Sequence, residues 1–118
     1  MRPGGLFRAL NRDGVPVIRL VGEVDIADAA DLEAALSAAA SNDDTQPLVV
    51  DLTDLDYCDS AVIAALIRQR KRYGERFEIV LPKTAKMRRI FDILSLETAL
   101  HISDDLRSAA GTRVLRNP

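Results

Sequence analysis

Apolar residues in this chain come in short bursts, and the spacing inside each burst tells strand from helix. Residues 6–10 and 15–21 are two such bursts on either side of Asn11-Arg12-Asp13-Gly14. Asp-Gly between apolar runs is a strong turn signal, so the pair predicts a β-hairpin whose second arm closes at Gly22-Glu23-Val24-Asp25. Ala29, Leu32, Leu36 and Ala39 then recur at helical spacing in an alanine-rich segment of high helix propensity. Ser41-Asn42-Asp43-Asp44-Thr45 breaks that pattern, and Pro47 precedes a continuous apolar run at 48–52 that predicts a buried strand. A helix is predicted from Ser60, with Ile63, Leu66 and Ile67 inward. It ends in Arg68-Gln69-Arg70-Lys71-Arg72 and stops at Gly74, since cations and then glycine suit a helix C-terminus. A strand follows at 77–81. Met87, Ile90, Phe91 and Leu94, at i, i+3, i+4 and i+7, predict an amphipathic helix with all four inward. Residues 98–102 predict a last short strand. Ser103-Asp104-Asp105 suggests the capped start of a final helix carrying Leu106 and Ala109, and residues 111–118 read as a flexible tail.

This alternation predicts an α/β (α+β mixed sheet) single domain: a mixed sheet of about four to five strands flanked by about four helices. At 118 residues, one domain with one hydrophobic core is the expectation. The core must be aliphatic, because the chain has no Trp, two Tyr and three Phe. A net charge of −2 argues against nucleic acid, which normally needs a basic face. No run approaches the ~20 apolar residues of a membrane span, and no signal peptide is legible, so a cytoplasmic protein without membrane insertion is expected. One cysteine forms no internal disulfide, which fits a reducing compartment.

Enzyme chemistry finds little support. His101 has neither a second histidine nor a cysteine nearby to make a metal site and reads as structural. Cys58 lies among Asp51, Asp54, Asp56 and Asp59, which would raise its pKa and disfavour a thiolate. Those carboxylates could attract magnesium, but turn capping explains them better. No glycine-rich phosphate cradle is present. A receiver domain would need an acidic pair, a phosphoryl-accepting Asp and a late Lys. Glu23 and Asp25 are a weak pair, Lys83 follows Pro82 instead of preceding a proline, and the βα units are too few. No cofactor and no catalytic residue are expected. The basic runs at 68–72 and around Lys83, Lys86, Arg88 and Arg89 read as solvated helix faces.

What remains is Tyr57-Cys58-Asp59-Ser60-Ala61, where a serine opens a helix directly after a buried strand. A helix N-terminus has unpartnered N–H groups and the positive end of the dipole, so a phosphate on Ser60 would be tolerated there. The plain alternative is a capping serine.

Taken in order, these blocks resemble the STAS family, and within it the bacterial anti-sigma factor antagonists. Residues 14–25, ending in Gly22-Glu23-Val24-Asp25, are similar to that family's first signature. Residues 48–52 followed by Asp59-Ser60 are similar to its central strand and phosphorylated Asp-Ser turn. Residues 74–81 and 88–96 are similar to its next strand and third helix, so the resemblance covers roughly residues 6–110. It implies a STAS domain over 6–110, phosphorylation of Ser60, and partner contacts through Asp25, Asp59, Ser60, Ala61 and Val62. The implied partners are an anti-sigma factor serine kinase, bound when Ser60 is free and released when it is phosphorylated, and a serine phosphatase that resets the switch. The domain itself is expected to be a monomer or weak dimer. The other role open to such a domain is a subunit docked to a transporter ATPase in phospholipid trafficking, with Ser60 unmodified. Two positions depart from the family pattern: Val62 stands where glycine is usual and should crowd a partner. Leu94-Ser95-Leu96 replaces Ser/Thr-Gly-Leu and should loosen the end of the third helix by losing a left-handed stop.

Overall fold

The hairpin forms where the Asp-Gly signal predicts it. A computed structural model describes residues 4–10, 14–42 and 45–105, and in it strand β1 (Gly5–Leu10) pairs antiparallel with β2 (Pro16–Val24). Helix α1 (Ile26–Asn42) leads to β3 (Leu48–Asp51), β4 (Leu55–Cys58) and helix α2 (Ser60–Tyr73). A 3-10 turn at Gly74–Arg76, strand β5 (Phe77–Val80), helix α3 (Arg88–Ile93), a second 3-10 turn at Leu96–Thr98 and strand β6 (Ile102–Ser103) complete the described chain. The sheet has six strands in the order β1-β2-β3-β5-β6, with β4 beside β2; apart from the β1 pairing all neighbours are parallel.

One strand is thus added to the expectation. No strand is predicted at 55–58, because Leu55-Asp56-Tyr57-Cys58 is half polar and sits among carboxylates. Only pairing with β2 makes it a strand. β2 runs beside β3 as far as Arg19 and then, through a register shift at Gly22/Glu23, beside β4. Gly22 takes φ 72°, and its N–H donates to the Asp54 carbonyl at 3.0 Å. A bulge of this hand suits glycine, which explains the glycine of the Gly-Glu-Val-Asp block. Of the about four helices expected, three α-helices lie among the described residues; the proposed helix at Leu106 and Ala109 and the tail at 111–118 lie outside them.

The core fills the space between the sheet and its helices. Ile18 and Leu20 of β2, Val50 of β3 and Ile79 of β5 face Leu32 and Leu36 of α1 and Val62, Ala65 and Leu66 of α2. All four residues of β3 and of β5 are buried, as expected of parallel strands covered on both faces. The buried line of α2 is Val62-Ala65-Leu66-Gln69, with Ile63 and Ile67 only half-buried at its margin. Glu33 of α1 accepts from Arg68 (2.8 Å) and from the buried Gln69 amide (3.0 Å), tying the two helices together. Gly74 ends α2 at φ 62°, its N–H donating to the Arg70 carbonyl.

The third helix differs most from its periodicity. Met87 and Phe91 are buried, but Ile90 and Leu94 are exposed. α3 stops at Ile93, the chain turns at Ser95, and Leu96 and Leu100 enter the core instead. The expected loss of a left-handed stop is also corrected: Ser95 itself adopts φ 53°, ψ 38°. A serine there bears strain that glycine would not. Replacing it relieves about 1–2 kcal/mol of left-handed strain against about 0.5–1 kcal/mol of added chain entropy. Ser95→Gly is therefore expected to stabilise the domain by roughly 0.5 kcal/mol, read from the urea midpoint; a lower midpoint would contradict it.

Candidate functional site

Two helices begin side by side at the carboxyl ends of two adjacent parallel strands. Val24 of β2 pairs with Cys58 of β4, so the next residues, Asp25 and Asp59, occupy equivalent positions, each immediately before a helix. Both are N-caps in the same chemical sense. The Asp25 carboxylate accepts from the N–H groups of Ala27 (3.0 Å) and Asp28 (3.4 Å), while the Asp28 carboxylate accepts from the Asp25 N–H (2.9 Å). This is a reciprocal capping box. The Asp59 carboxylate accepts from the Val62 N–H at 3.2 Å.

The capping duty considered for Ser60 therefore falls to Asp59. Ser60 is the first residue of α2, exposed, one step past the cap. Its hydroxyl is reachable from outside. Ala61 is half-buried beside it. Val62, by contrast, is fully buried in the core. Its expected role in partner contact is corrected: at the third position of α2 the side chain turns inward, so it crowds no partner and contributes packing instead.

The surface around Ser60 is both acidic and apolar. Glu23, Asp25 and Ser60 are exposed, Asp28, Asp56 and Asp59 are half-buried, and Ile26 and Tyr57 stand out at 70% and 52% exposure. Tyr57 lies beside Glu23 across the β2–β4 pair. Neither Ile26 nor Tyr57 is among the contact residues expected from the sequence: Ile26 continues the helical spacing of Ala29, and Tyr57 belongs to a strand that carries no periodic signal. The available signal was their adjacency to the two capping aspartates.

The four carboxylates that could attract magnesium are each engaged within the fold, two of them by the same arginine. Asp51 accepts from the Thr53 N–H at 2.9 Å and lies 3.6 Å from Arg19. Asp54 pairs with Arg19, Asp56 lies 3.5 Å from Lys86, and Asp59 caps α2. Among the described residues, no group of three or more His, Cys, Asp or Glu side chains is arranged to hold a metal ion. Arg19 with Val21, Thr53, Asp54 and Asp56 lines an open cleft of about 450 Å³, whose charges are already matched.

Burial, and secondarily Asp59, pushes the Cys58 thiol up to about 11. Sequence had pointed to the carboxylates; desolvation is the larger cause. The folded state thus favours the protonated thiol, so this stabilisation is intact below the ordinary value of 9.0 and is lost as pH rises from there through about 11. Cys58 is expected to resist alkylation at pH 8 in the native protein and react freely in urea. Rapid native labelling would contradict its placement.

A family model described as Mlab, STAS domain, matches residues 9–108. Among curated proteins no relative matches. An anti-sigma factor antagonist from Mycobacterium paratuberculosis is similar in structure, at 24% identity and TM-score 0.74, over 95% of each chain. The anti-sigma factor antagonist SpoIIAA in its unphosphorylated form is similar at 19% identity and TM-score 0.64, over 97% of this chain and 100% of that one. The Bacillus cell fate determinant SpoIIAA in its phosphorylated form matches at the same identity and TM-score, over 93% of this chain and 99% of that one. At these identities the likeness is one of fold. Among the described residues no helix is long and apolar enough to cross a membrane.

Proposed function

Because the chain belongs to the STAS family, its model matching residues 9–108, we propose that it acts by binding and not by catalysis, as an anti-sigma factor antagonist in a partner switch. Unphosphorylated, it binds a serine-kinase anti-sigma factor and so frees the sigma factor. The kinase phosphorylates Ser60, the complex separates, and a serine phosphatase restores the starting state. The STAS domain spans 6–110, the compartment is the cytoplasm, and the chain works as a monomer or weak dimer.

The observation that carries this reading is the exposed Ser60 hydroxyl, one residue beyond a cap that Asp59 already supplies. It is accessible to a phosphoryl donor, and modifying it leaves the cap bond in place. Asp25, Asp59 and Ala61 border it and form the contact surface, with Ile26 and Tyr57 as its apolar part. A phosphoserine adds about −1.5 to −2 charges to a surface already rich in carboxylates. The helix end returns only about 0.3–1 kcal/mol. Covering that dianion with a partner costs more than this, so binding is lost while the fold is kept.

The test is incubation with ATP and the serine-kinase regulators encoded alongside the chain, read by intact mass. One added phosphate is expected, absent in Ser60→Ala. Phosphate that persists in Ser60→Ala, or none with any such kinase, would overturn the switch.

The second role open to a STAS domain is a subunit docked to a transporter ATPase in phospholipid trafficking, and the matching model, described as Mlab, STAS domain, is compatible with it. The same surface would then be covered permanently and Ser60 left unmodified. Stable co-purification with the ATPase, unaffected by ATP, would select that role.

A further inference from the structure

Strand β1 is the long open edge of the sheet. It ends the strand order on one side, and no described strand pairs with its outer side. The strand at the other end of that order, β6, is only two residues long. Short strands, prolines, bulges and charges are the usual protections of an edge, and β1 has few of them. It runs six residues in unbroken register with β2, contains no proline and carries a single charge, Arg8. Phe7 is 50% exposed, and Arg8 and Ala9 are exposed beside it.

The two faces of this edge differ. Leu6 and Arg8 are level with Leu20 and Ile18, which face the helices, while Phe7 and Ala9 lie on the opposite face. On the helix side, Arg8 lines a small cleft of about 150 Å³ together with Ala35 and Ala38 of α1. Asp31 is exposed on that same flank of α1, since 31, 35 and 38 are spaced i, i+4 and i+7.

We propose that β1 pairs antiparallel with β1 of a second copy of this chain, joining the two sheets about a two-fold axis at Phe7. Paired residues share a face, so the axis must pass through a residue and its own copy. Arg8 is excluded as that residue, because two guanidinium groups would then oppose each other. An axis at Phe7 sets Phe7 against Phe7 of the copy, Gly5 against Ala9, and Leu6 against Arg8. The copy's Arg8 then stands two strand positions nearer the start of α1 than this chain's own. β2 and β3 are parallel, so α1 between them runs back along the sheet. Two strand positions span about 6–7 Å and four helix residues about 6 Å, which carries the copy's guanidinium from the level of Ala35 to that of Asp31. Symmetry makes this pairing of opposite charges twice, which favours a second copy over a foreign strand.

The joined sheet has a functional consequence. Ser60 follows β4, which runs parallel to β2, so it lies at the end of the sheet where β2 finishes. Antiparallel pairing of the two β1 strands points these ends in opposite directions. Both Ser60 surfaces stay open, and the dimer presents two of them to its surroundings. The contact is independent of what binds at Ser60.

Sedimentation of the full chain tests this. A concentration-dependent dimer is expected, weakened at least about tenfold by Phe7→Lys, which opposes two cations at the axis. Arg8→Asp and Asp31→Arg should each weaken it by a similar factor, and the double variant should restore it. Melting in dilute solution, where the monomer prevails, should match wild type for every variant, because all three residues are exposed. Mild oxidation of Phe7→Cys should give a covalent dimer, since directly opposed Cα atoms lie about 4.5–5.5 Å apart, within disulfide reach. Ala9→Cys should not cross-link, and the native Cys58 is buried. Ser60→Asp should dimerise like wild type, which keeps failure of the switch separate from failure of this contact. A wild-type chain that stays monomeric at its highest soluble concentration would overturn the proposal. So would a dimer that survives Phe7→Lys, cross-links through Ala9→Cys, or fails to return in the double variant.

Discussion

Ser60→Asp is expected to bind the serine-kinase regulator about a hundredfold more weakly than wild type, equivalent to about 2.8 kcal/mol. The substitution puts a carboxylate at the first position of α2, beside the Asp59 cap and on the same surface as Glu23 and Asp25. In the free protein that carboxylate is hydrated and near the positive helix end, so the fold tolerates it. Under a partner it must shed water without gaining a counter-charge, and an unpaired buried charge costs several kcal/mol. Ser60→Ala should bind like wild type, since Asp59 and not Ser60 makes the cap bond. Two readings of the loss separate in salt: pure Coulomb repulsion fades as ionic strength rises, whereas a desolvation cost persists. Equal affinity for Ser60→Asp and wild type would end the switch mechanism, even with phosphorylation demonstrated.

Phe91→Ala is expected to cost about 3–5 kcal/mol of folding stability, measured from urea unfolding. Phe91 is fully buried and, with Met87, anchors α3 to the core. A six-residue helix has no stability of its own, so losing its anchor leaves a cavity and frees the segment as well. Against a typical stability of about 5–15 kcal/mol, such a loss is severe. Leu66→Ala, also fully buried, should fall in the about 2–5 kcal/mol range. Ile93→Ala, on the outward strip of the same helix as Phe91, should stay within about 0.5 kcal/mol. Similar losses at Phe91 and Ile93 would show that the faces of α3 are wrongly assigned.

The contrast between Phe91 and Ile90 also shows where reading by periodicity ends. Helical spacing puts Met87, Ile90, Phe91 and Leu94 on one stripe, yet a helix stopped by a left-handed Ser95 buries only two of them. How long a helix continues depends on what the chain does next, and that is decided by packing. The β4 strand has the same origin. Four residues with two polar members carry no periodic signal, and only the bulge at Gly22 turns β2 toward them. Val62 is a third case, since apolar character alone does not say whether a first-turn residue looks inward or at a partner.

By itself, the sequence determined what local chemistry controls: the hairpin, the long α1 and α2, the glycine stop at Gly74, the buried parallel strands, and a serine after Asp59 at a helix start. Each of these follows from backbone preference or from burial at a fixed period, which act within a few residues. Tertiary structure alone decided which neighbours met. It set Asp25 level with Asp59, gave the cap to the aspartate and left the serine exposed, turned Val62 into the core, and left Ile90, Ile93 and Leu94 in water. Those outcomes depend on strand register and on where the helix packing surface runs out, and both are set by contacts between residues far apart in the chain.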